Sequence, residues 1–320
     1  MKIRQHKLRI VRRVVGYTTL ALFVLYFVTR GSGSDIFAPL AFMAHIQFTP
    51  ALLSVTAQTH LAYFVALMVV VLLLSRIYCS VICPLGIFQD LFIRWDKKKR
   101  MVVRRKFRHT KLNSIIRYTI LVAVLASYFI GFEALGAWLD PYANFGRIAS
   151  NLLRPVAYLF NNLAASIFSG SISQVSFNSL TPWVMIFPAL LTVLLILINA
   201  FYGRFYCNTI CPVGTLLGLL SKISLFRVRI DKSRCVSCGL CGRACKSTCI
   251  DVKKKAVDNT RCVHCYSCLS VDCKVKSINL EFALSKKHRQ VNAPAKPAKS
   301  QVQPHAEAVQ VAAEKLQATT

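Results

Sequence analysis

Long apolar segments alternate with basic segments along most of the chain. A helix that crosses a membrane needs about 20 mostly apolar residues, because it must satisfy its own backbone hydrogen bonds in lipid. The segments that meet or approach this length are Val14 to Val28, Leu61 to Leu74 with an extension to Tyr78, Ile115 to Leu139, and Trp183 to Phe201. The pattern therefore predicts an α-helical membrane protein with four transmembrane helices.

Lysine and arginine are distributed unevenly between these helices. They are concentrated before Val14, between the second and third helices, and after the fourth, whereas segments 31–59 and 140–182 hold few. Basic residues favour the cytoplasmic side of a membrane. We therefore predict a multi-pass protein of a bacterial inner (cytoplasmic) membrane, with its N-terminus and its C-terminus inside. A secretory signal over residues 14–28 is an alternative, and its removal would not change the orientation of the rest.

A shorter apolar stretch, Val156 to Phe168, contains the polar residues Asn161, Asn162 and Ser166. Its mixed character suits an amphipathic helix that lies on the outer surface. Part of a re-entrant loop is an alternative that the sequence does not separate from the first. Neither interpretation changes the number of predicted spans.

The charge balance narrows the possible partners. The chain has 320 residues, of which 55% are hydrophobic, and its 41 Lys and Arg against 12 Asp and Glu give a net charge of +29. Nucleic-acid binding would need a basic stripe on a soluble fold, and no such motif occurs. We therefore expect no nucleic-acid partner. The basic inner face is instead expected to attract anionic lipid.

One cysteine motif occurs twice, at the inner ends of the second and fourth predicted helices. It reads RIYCSVICPLG from Arg76 and RFYCNTICPVG from Arg204, with a spacing of 128 residues. Repeats that share an orientation are related by an axis along the membrane normal. Such an axis would bring together the four motif cysteines, Cys79, Cys83, Cys207 and Cys211.

The Cys-x3-Cys-Pro motifs span residues 79–84 and 207–212, so each ends in Cys-Pro. Proline is favoured in the first turn of a helix, so we expect Cys83 and Cys211 to cap short interfacial helices. A helix N-terminus and a nearby arginine both favour the thiolate. The four cysteines would then form a redox thiol site or a metal site, and small apolar side chains buried at a helix junction are the alternative.

Nine further cysteines form two runs near the carboxyl end. The first run contains Cys235, Cys238, Cys241 and Cys245, and the second contains Cys262, Cys265, Cys268 and Cys273. Three cysteines at intervals of three suit a cubane iron–sulfur cluster. The bacterial two-cluster arrangement assigns Cys235, Cys238, Cys241 and Cys273 to one [4Fe-4S] cluster, and Cys262, Cys265, Cys268 and Cys245 to the other. Zinc also uses Cys-x2-Cys pairs, but zinc ribbons space their two pairs more widely.

The two runs depart from the usual ferredoxin pattern. Lys246 stands where proline normally follows the fourth cysteine, and Asp272 is an extra residue before Cys273. Cys249 is supernumerary, and we interpret it as a small buried side chain with a ligand role left open. We expect His264, which lies between two ligands, to point to solvent.

The segments YCSVICPLGIFQDL, WLDPYANFGR and YCNTICPVGTLLGLLS, with the paired cysteine runs, resemble NapH-type membrane subunits of quinol dehydrogenases. These are similar to a wider membrane polyferredoxin group that includes NosR-type and CcoG-type proteins. The resemblance covers about residues 10 to 283. It implies four spans, a cytoplasmic ferredoxin domain, and an oxidoreductase component that transfers electrons between menaquinol or ubiquinol and another redox protein or subunit.

Oxidation of a quinol releases protons, so an ionisable side chain is expected near its headgroup. His60, Glu133 and Asp140 are candidates, since each falls at an outer end of a predicted helix. An ionisable residue at membrane depth is a functional hypothesis by default. Hydrated helix ends without a catalytic role are the alternative.

These patterns divide the chain into four parts. They are a basic N-terminus at 1–13, a membrane domain at 14–227, an α+β bacterial-type 2[4Fe-4S] ferredoxin domain at 228–284, and a basic tail at 285–320 whose composition predicts disorder. Electron transfer with the quinone pool is the favoured function. A cupric-type metal reductase that uses the motif thiols, and a non-catalytic assembly or regulatory subunit, are the alternatives.

Overall fold

The computed structural model describes residues 2–29, 42–53, 58–98, 114–167, 182–271, 273 and 275–282. The predicted tail at 285–320 and the extra residue Asp272 lie outside these ranges. The described helices and strands belong to one compact unit.

Two halves of the helical part repeat the same order of elements. The helices of the first half are α1 (Lys2–Thr29), α2 (Phe42–His45), α3 (Phe48–Leu53), α4 (Gln58–Leu74), α5 (Tyr78–Val81) and α6 (Pro84–Lys98). The helices of the second half are α7 (Ser114–Phe129), α8 (Ala134–Leu139), α9 (Pro141–Ile148), α10 (Arg154–Ile167), α11 (Pro182–Tyr202) and α12 (Pro212–Leu220). Two π-helical turns, Ala149–Leu153 and Tyr206–Ile210, complete this half.

Two described helices are long and apolar enough to cross a membrane, at His6–Thr29 within α1 and Val184–Tyr202 within α11. The apolar parts of α4 and α7 are shorter, at Leu61–Leu74 and Ser114–Phe129. Only 28% of the most apolar stretch of α1, and 17% of that of α11, is buried within the protein. Their outward faces are therefore apolar, which is the property of a helix that contacts lipid.

The third apolar segment is not the continuous helix from Ile115 to Leu139 that its hydropathy predicted. Helix α7 ends at Phe129, and Gly131 then adopts a left-handed backbone with φ of 82°. Asp140 is extended and accepts a hydrogen bond from the N–H of Ala143, which caps α9. The glycine turn and this cap redirect the chain, so one predicted helix becomes a helix followed by two short ones.

These short helices return to the cysteine motifs. In the first half, the Tyr78 hydroxyl donates to Gln47, which precedes α3, at 2.9 Å. In the second half, the amide of Asn144 in α9 donates to the Tyr206 hydroxyl at 3.1 Å. The connections between long helices therefore pack against the motifs, and Asp140 lies near Cys83 rather than at the opposite end of the helices.

The predicted amphipathic segment forms α10, which exposes several large apolar side chains. They are Val156, Leu159, Phe160, Leu163 and Ile167. Arg154 donates to the carbonyl of Phe27 at 2.7 Å, so the start of α10 satisfies an acceptor near the end of α1. Such end groups lack partners within their own helix.

Small strands enclose the carboxyl-terminal cysteines. Strand β1 (Phe226–Ile230) is antiparallel to β4 (Ile278–Phe282), and between them lie helix α13 (Leu240–Ala244) and the pair β2 (Ile250–Asp251) and β3 (Ala256–Val257). The register of β1 and β4 pairs Val228 with Leu280. This pairing joins the two ends of the segment that holds nine of the thirteen cysteines.

Two hydrophobic cores meet at the loop that carries the second cysteine run. The helical core includes Phe23, Phe145 and Leu217 together with the four motif cysteines. Val263 and Cys265 also belong to this helical core, whereas Cys262 and Cys268 belong to the core of the strands. The second run therefore lies at the boundary between the two cores.

Candidate functional site

The four motif cysteines are all buried and lie close enough to affect one another's ionisation. The charge of Cys83 is disfavoured by Cys79 and Cys207, and the charge of Cys211 by Cys207, Cys79 and Cys83. The convergence that the repeat predicted is therefore present in the structure.

Reciprocal hydrogen bonds link the two motifs. Arg76 donates to the carbonyl of Cys207 at 2.9 Å, and Arg204 donates to the carbonyl of Cys79 at 2.8 Å. Both guanidinium groups are fully buried. Each arginine thus reaches the first cysteine of the opposite repeat, as a two-fold relation between the repeats requires.

Each motif also depends on its glycine. A Cβ atom on Gly86 would lie 2.2 Å from the carbonyl oxygen of Cys79, and one on Gly214 would lie 2.2 Å from that of Cys207. No side chain fits at this distance. The motif therefore needs glycine two residues after its proline, so that the following helix can pass against the cysteine backbone.

The expectation that Cys83 and Cys211 cap helices is confirmed. Helix α12 begins at Pro212, and the N–H of Gly214 donates to the Cys211 sulfur at 3.3 Å. Helix α6 begins at Pro84, and the N–H of Gly86 donates to Cys83 in the same way. The sulfur atoms take the role that serine or aspartate oxygens fill at other helix starts.

The expectation that these groups favour the thiolate is wrong for Cys83, Cys207 and Cys211. Burial raises the pKa of Cys83 and Cys211, and it raises the pKa of Cys207 to about 11 although Arg204 opposes this shift. The Cys207 sulfur instead lies 3.2 Å from the side-chain oxygen of Gln89. The arginines are directed to carbonyl groups and to a carboxylate, so desolvation dominates at the thiols.

The first predicted ligand set lines one cavity. Cys235, Cys238, Cys241 and Cys273 surround a space of about 370 Å³ that is partly open to solvent. Gly239, with φ of 75°, turns the loop between the second and third of these cysteines. Four sulfur donors around one open space fit a cubane cluster, which occupies the volume between its ligands.

The second predicted set is buried near the helical part. Burial raises the pKa of Cys268, and the nearby Cys245, Cys262, Cys265 and Cys241 raise it further. The supernumerary Cys249 is also buried, and its sulfur lies 3.4 Å from that of Cys245. The interpretation of Cys249 as a buried small side chain is therefore confirmed, and its contact with Cys245 leaves the ligand question open.

Zinc is the alternative to a cluster at these cysteines. Across the described residues, no three Cys, His, Asp or Glu side chains form a group that could hold one metal ion. A structural zinc site needs four ligands at about 2.0–2.3 Å from a single ion. A cubane separates its ligands more widely, and the two sets of converging cysteines suit that arrangement.

His264 does not point to solvent, contrary to expectation. Its side chain is completely buried, and burial lowers its pKa to about 4. The backbone has φ of 47°, a left-handed conformation that the spacing of cysteines could not reveal. Among the described residues, neither ring nitrogen has a hydrogen-bond partner.

An apolar cavity of about 490 Å³, partly open, lies beside the second motif. Its lining residues are Phe48, Thr49, Leu121, Val124, Leu125, Tyr128, Gly136, Asp140, Pro212, Val213 and Leu216. Asp140 is almost fully buried, accepts a hydrogen bond from Thr49, and has its pKa raised by burial. Glu133 is exposed and does not line this cavity, and the side chain of His60 lies outside the described part.

Sequence reasoning missed a buried ion-pair group centred on Asp90 in α6. The carboxylate contacts Arg12 at 2.5 Å, Arg204 at 2.9 Å and Lys246 at 3.3 Å. Although burial opposes it, Arg204 and Lys246 hold the pKa of Asp90 well below its usual range. The chain has only 12 acidic residues, and one of them, Asp90, follows the first cysteine motif. This position was the signal in the sequence for a buried ion pair.

A profile of a 4Fe-4S binding domain family matches the chain twice, over residues 56–108 and 181–233. The two matches contain the two cysteine motifs and confirm that the halves repeat. No solved structure matches the chain.

Several curated proteins are similar over much of the chain. An uncharacterized protein of Methanocaldococcus jannaschii is 26% identical over 62% of this chain and 62% of its own. YccM of Escherichia coli, named as a candidate electron transport protein, is 28% identical over 81% of this chain and 66% of its own. The ferredoxin-type protein NapH of Haemophilus influenzae is 26% identical over 53% and 47%. The chain thus spans about half to two thirds of these relatives, and it is similar to ferredoxin-type and electron-transport proteins while carrying two matches to a 4Fe-4S binding domain.

Proposed function

We propose that the protein transfers electrons between a membrane quinol and a partner redox protein through two [4Fe-4S] clusters. The main support is a continuous series of sites within one compact unit. The cavity at Asp140 shares Pro212 with the second motif, the motif cysteines share a core with Cys265, and Cys265 belongs to the second ligand set. The first ligand set follows at the solvent-exposed end.

In this proposal α1, α4, α7 and α11 cross a bacterial inner membrane with both termini and the ferredoxin domain in the cytoplasm. Each helix carries exposed apolar side chains, among them Val14, Val65, Val122 and Leu190. Helices α4 and α7, at 17 and 16 residues, are shorter than a typical span. Local thinning of the bilayer accommodates such helices at modest cost.

The quinol is proposed to bind in the Asp140 cavity. Apolar side chains such as Leu121 and Val124 suit its ring and tail, and the carboxylate supplies a proton acceptor. The hydrogen bonds from Thr49 and the N–H of Ala143 fix the carboxylate orientation. Oxidation of one quinol yields two protons and two electrons. Asp140 accepts one proton, the other is released to water through the open side of the cavity, and the electrons leave one at a time toward the cysteine sites.

The cysteines are proposed to hold the two clusters in the sets that the sequence predicted. When bound, each cluster supplies one-electron transfer. Cys235, Cys238, Cys241 and Cys273 would ligate the exposed cluster, and Cys245, Cys262, Cys265 and Cys268 the buried one. The four motif cysteines lie between the cavity and the buried set, which suits a redox thiol or metal step on this route.

The exposed set faces a basic surface, which fits an acidic redox partner. Cys238 is exposed, and the exposed basic side chains near this set are Lys232, Arg234, Arg243, Lys253, Lys254 and Lys276. Two nearby carboxylates, Asp231 and Asp251, accept hydrogen bonds from turn N–H groups. Complementary charge accelerates association of proteins, so we expect partner binding to weaken with salt. Basic residues at the inner membrane surface would also contact anionic lipid.

A cupric-type reductase is less well supported. The motif thiols are only 3–4% exposed, so an external metal ion has little access to them. Turnover measurements distinguish the proposed function from that of a non-catalytic subunit, because no quinol would reduce the clusters of a non-catalytic subunit.

The test begins with anaerobic purification and assay of iron and sulfide. We expect about eight of each per chain, with EPR signals of reduced clusters when a menaquinol analogue is added. Zinc in place of iron, or clusters that quinol never reduces, would contradict the proposal.

Asp140→Asn should lower the rate of quinol-linked cluster reduction by about 10²-fold or more while leaving the iron content unchanged. In the unmodified protein the rate should fall as the pH drops through the raised pKa of Asp140, and this dependence should be lost in the variant. Glu133→Gln, at an exposed position outside the cavity, is the matched control. Equal effects of both variants would remove Asp140 from the mechanism.

A further inference from the structure

The ion-pair group around Asp90 joins three separate parts of the chain. Arg12 comes from α1, Arg204 precedes the π-helical turn of the second motif, and Lys246 follows Cys245 in the ferredoxin segment. All four side chains are at most 7% exposed. The group therefore holds the helical part and the second ligand set against each other.

This group carries more positive than negative charge. Three cations surround one carboxylate, and burying an uncompensated charge is costly. Cys265, a member of the second set, lies close enough to interact electrostatically with both Arg204 and Lys246. An anionic cluster on the second set would supply the balancing charge that Asp90 alone does not.

Lys246 explains one departure from the ferredoxin pattern. Proline, the usual residue at this position, could not form an ion pair with Asp90. The main chain at Lys246 makes a second contact, since its carbonyl accepts from the N–H of Arg204 at 3.0 Å. The substitution therefore adds a charged link at the residue that directly follows a proposed cluster ligand.

We propose that Lys246 and Asp90 position the cluster of the second set beside the motif cysteines, and that the surplus positive charge raises its reduction potential. This inference rests on the proposed function, because it requires two clusters. A positive charge near an anionic cluster stabilises the more negative, reduced form. The buried cluster then becomes the better first acceptor for electrons that leave the membrane, and the exposed cluster passes them on.

The test is a redox titration followed by EPR, with Lys246→Met compared with Lys253→Met. The first variant removes a buried charge and keeps the chain length, and the second removes an exposed charge near the other set. At a fixed ambient potential, we expect about a tenfold fall in the reduced-to-oxidised ratio of the buried cluster, equivalent to about 59 mV for one electron. The exposed cluster should be unchanged in Lys246→Met.

Arg12→Met removes a cation of the same group from a different helix and should shift the same cluster downward by a smaller amount. Arg12→Met is the substitute test if the Lys246→Met protein does not assemble its clusters. Lys246→Arg should restore most of the potential. Unchanged potentials in variants that retain eight iron atoms would overturn this inference alone, whereas absence of clusters in the unmodified protein would overturn the proposed function.

Discussion

Arg76 and Arg204 occupy the same position in the two repeats, yet their partners differ. Arg204 forms an ion pair with Asp90 at 2.9 Å, whereas Arg76 donates to the neutral oxygens of Asn208 at 3.0 Å and Thr260 at 2.8 Å. The position that corresponds to Asp90 in the second repeat, 128 residues on, is Gly218.

Gly218 leaves space for another cation. A Cβ atom there would lie 2.0 Å from the guanidinium of Arg117, which donates to the carbonyl of Thr260 at 3.2 Å. The repeats therefore share the backbone that surrounds their cysteines but attach to the ferredoxin segment differently. Asp90 of the first repeat forms an ion pair with Lys246, whereas at the corresponding place in the second repeat Arg117 donates to the carbonyl of Thr260.

Among substitutions that test this difference between the repeats, Asp90→Asn should cause the largest loss of stability. Removing the carboxylate leaves Arg12, Arg204 and Lys246 buried without an ionic partner, and such losses cost about 3–5 kcal/mol. Asn208→Ala, which removes one of the three acceptors of Arg76, should cost about 1–3 kcal/mol. The measurement is the free energy of unfolding in detergent micelles, and equal losses would show that the two arginines are equivalent.

The glycines of the motifs should show no such asymmetry. Gly86→Ala and Gly214→Ala each place a Cβ atom 2.2 Å from a carbonyl oxygen, so each should destabilise the fold by about 2 kcal/mol or more. Gly16→Ala, whose Cβ atom would lie 3.3 Å from the carbonyl of Ser80, is the control. A much smaller loss at one motif glycine, measured by thermal unfolding, would mean that the repeats differ there as well.

The motif tyrosines should give the smallest and most similar effects. Tyr78→Phe removes a donor to Gln47, and Tyr206→Phe removes a donor to the carbonyl of Leu139, each at 2.9 Å. Each loss should cost about 1–2 kcal/mol because a buried acceptor is left without its partner. Hydrogen exchange of the segments at α3 and α9 should rise by similar factors, and a rise in only one segment would contradict the equivalence.

Much of the site could be predicted from the spacing of residues along the sequence. The 128-residue repeat predicted the convergence of the four motif cysteines, and Cys-Pro predicted the helix starts at Pro84 and Pro212. The two ferredoxin-type sets were also assigned from spacing. The first set lines one cleft, the cysteines of the second set lie near Cys268, as does Cys241, and the division into two sets stays a prediction. These features depend on local sequence or on internal similarity, so they do not require knowledge of distant contacts.

Other features depend on contacts that a one-dimensional pattern does not contain. Hydropathy counted residues 115–139 as one helix, because it does not register the left-handed turn at Gly131. It also placed Asp140 at an outer helix end, whereas the short helices return it to the motifs. The burial of His264 and the ion pairs of Asp90 arise from packing between segments far apart in the chain.

Helix α1 begins at Lys2 and extends for 28 residues, about 42 Å, so its basic first turns continue beyond a bilayer core. Within those turns Arg9 donates to the hydroxyl of Ser270, a residue 261 positions later. This contact closes helix α1 onto the loop of the second cysteine run, and it forms only after residue 270 has been synthesised.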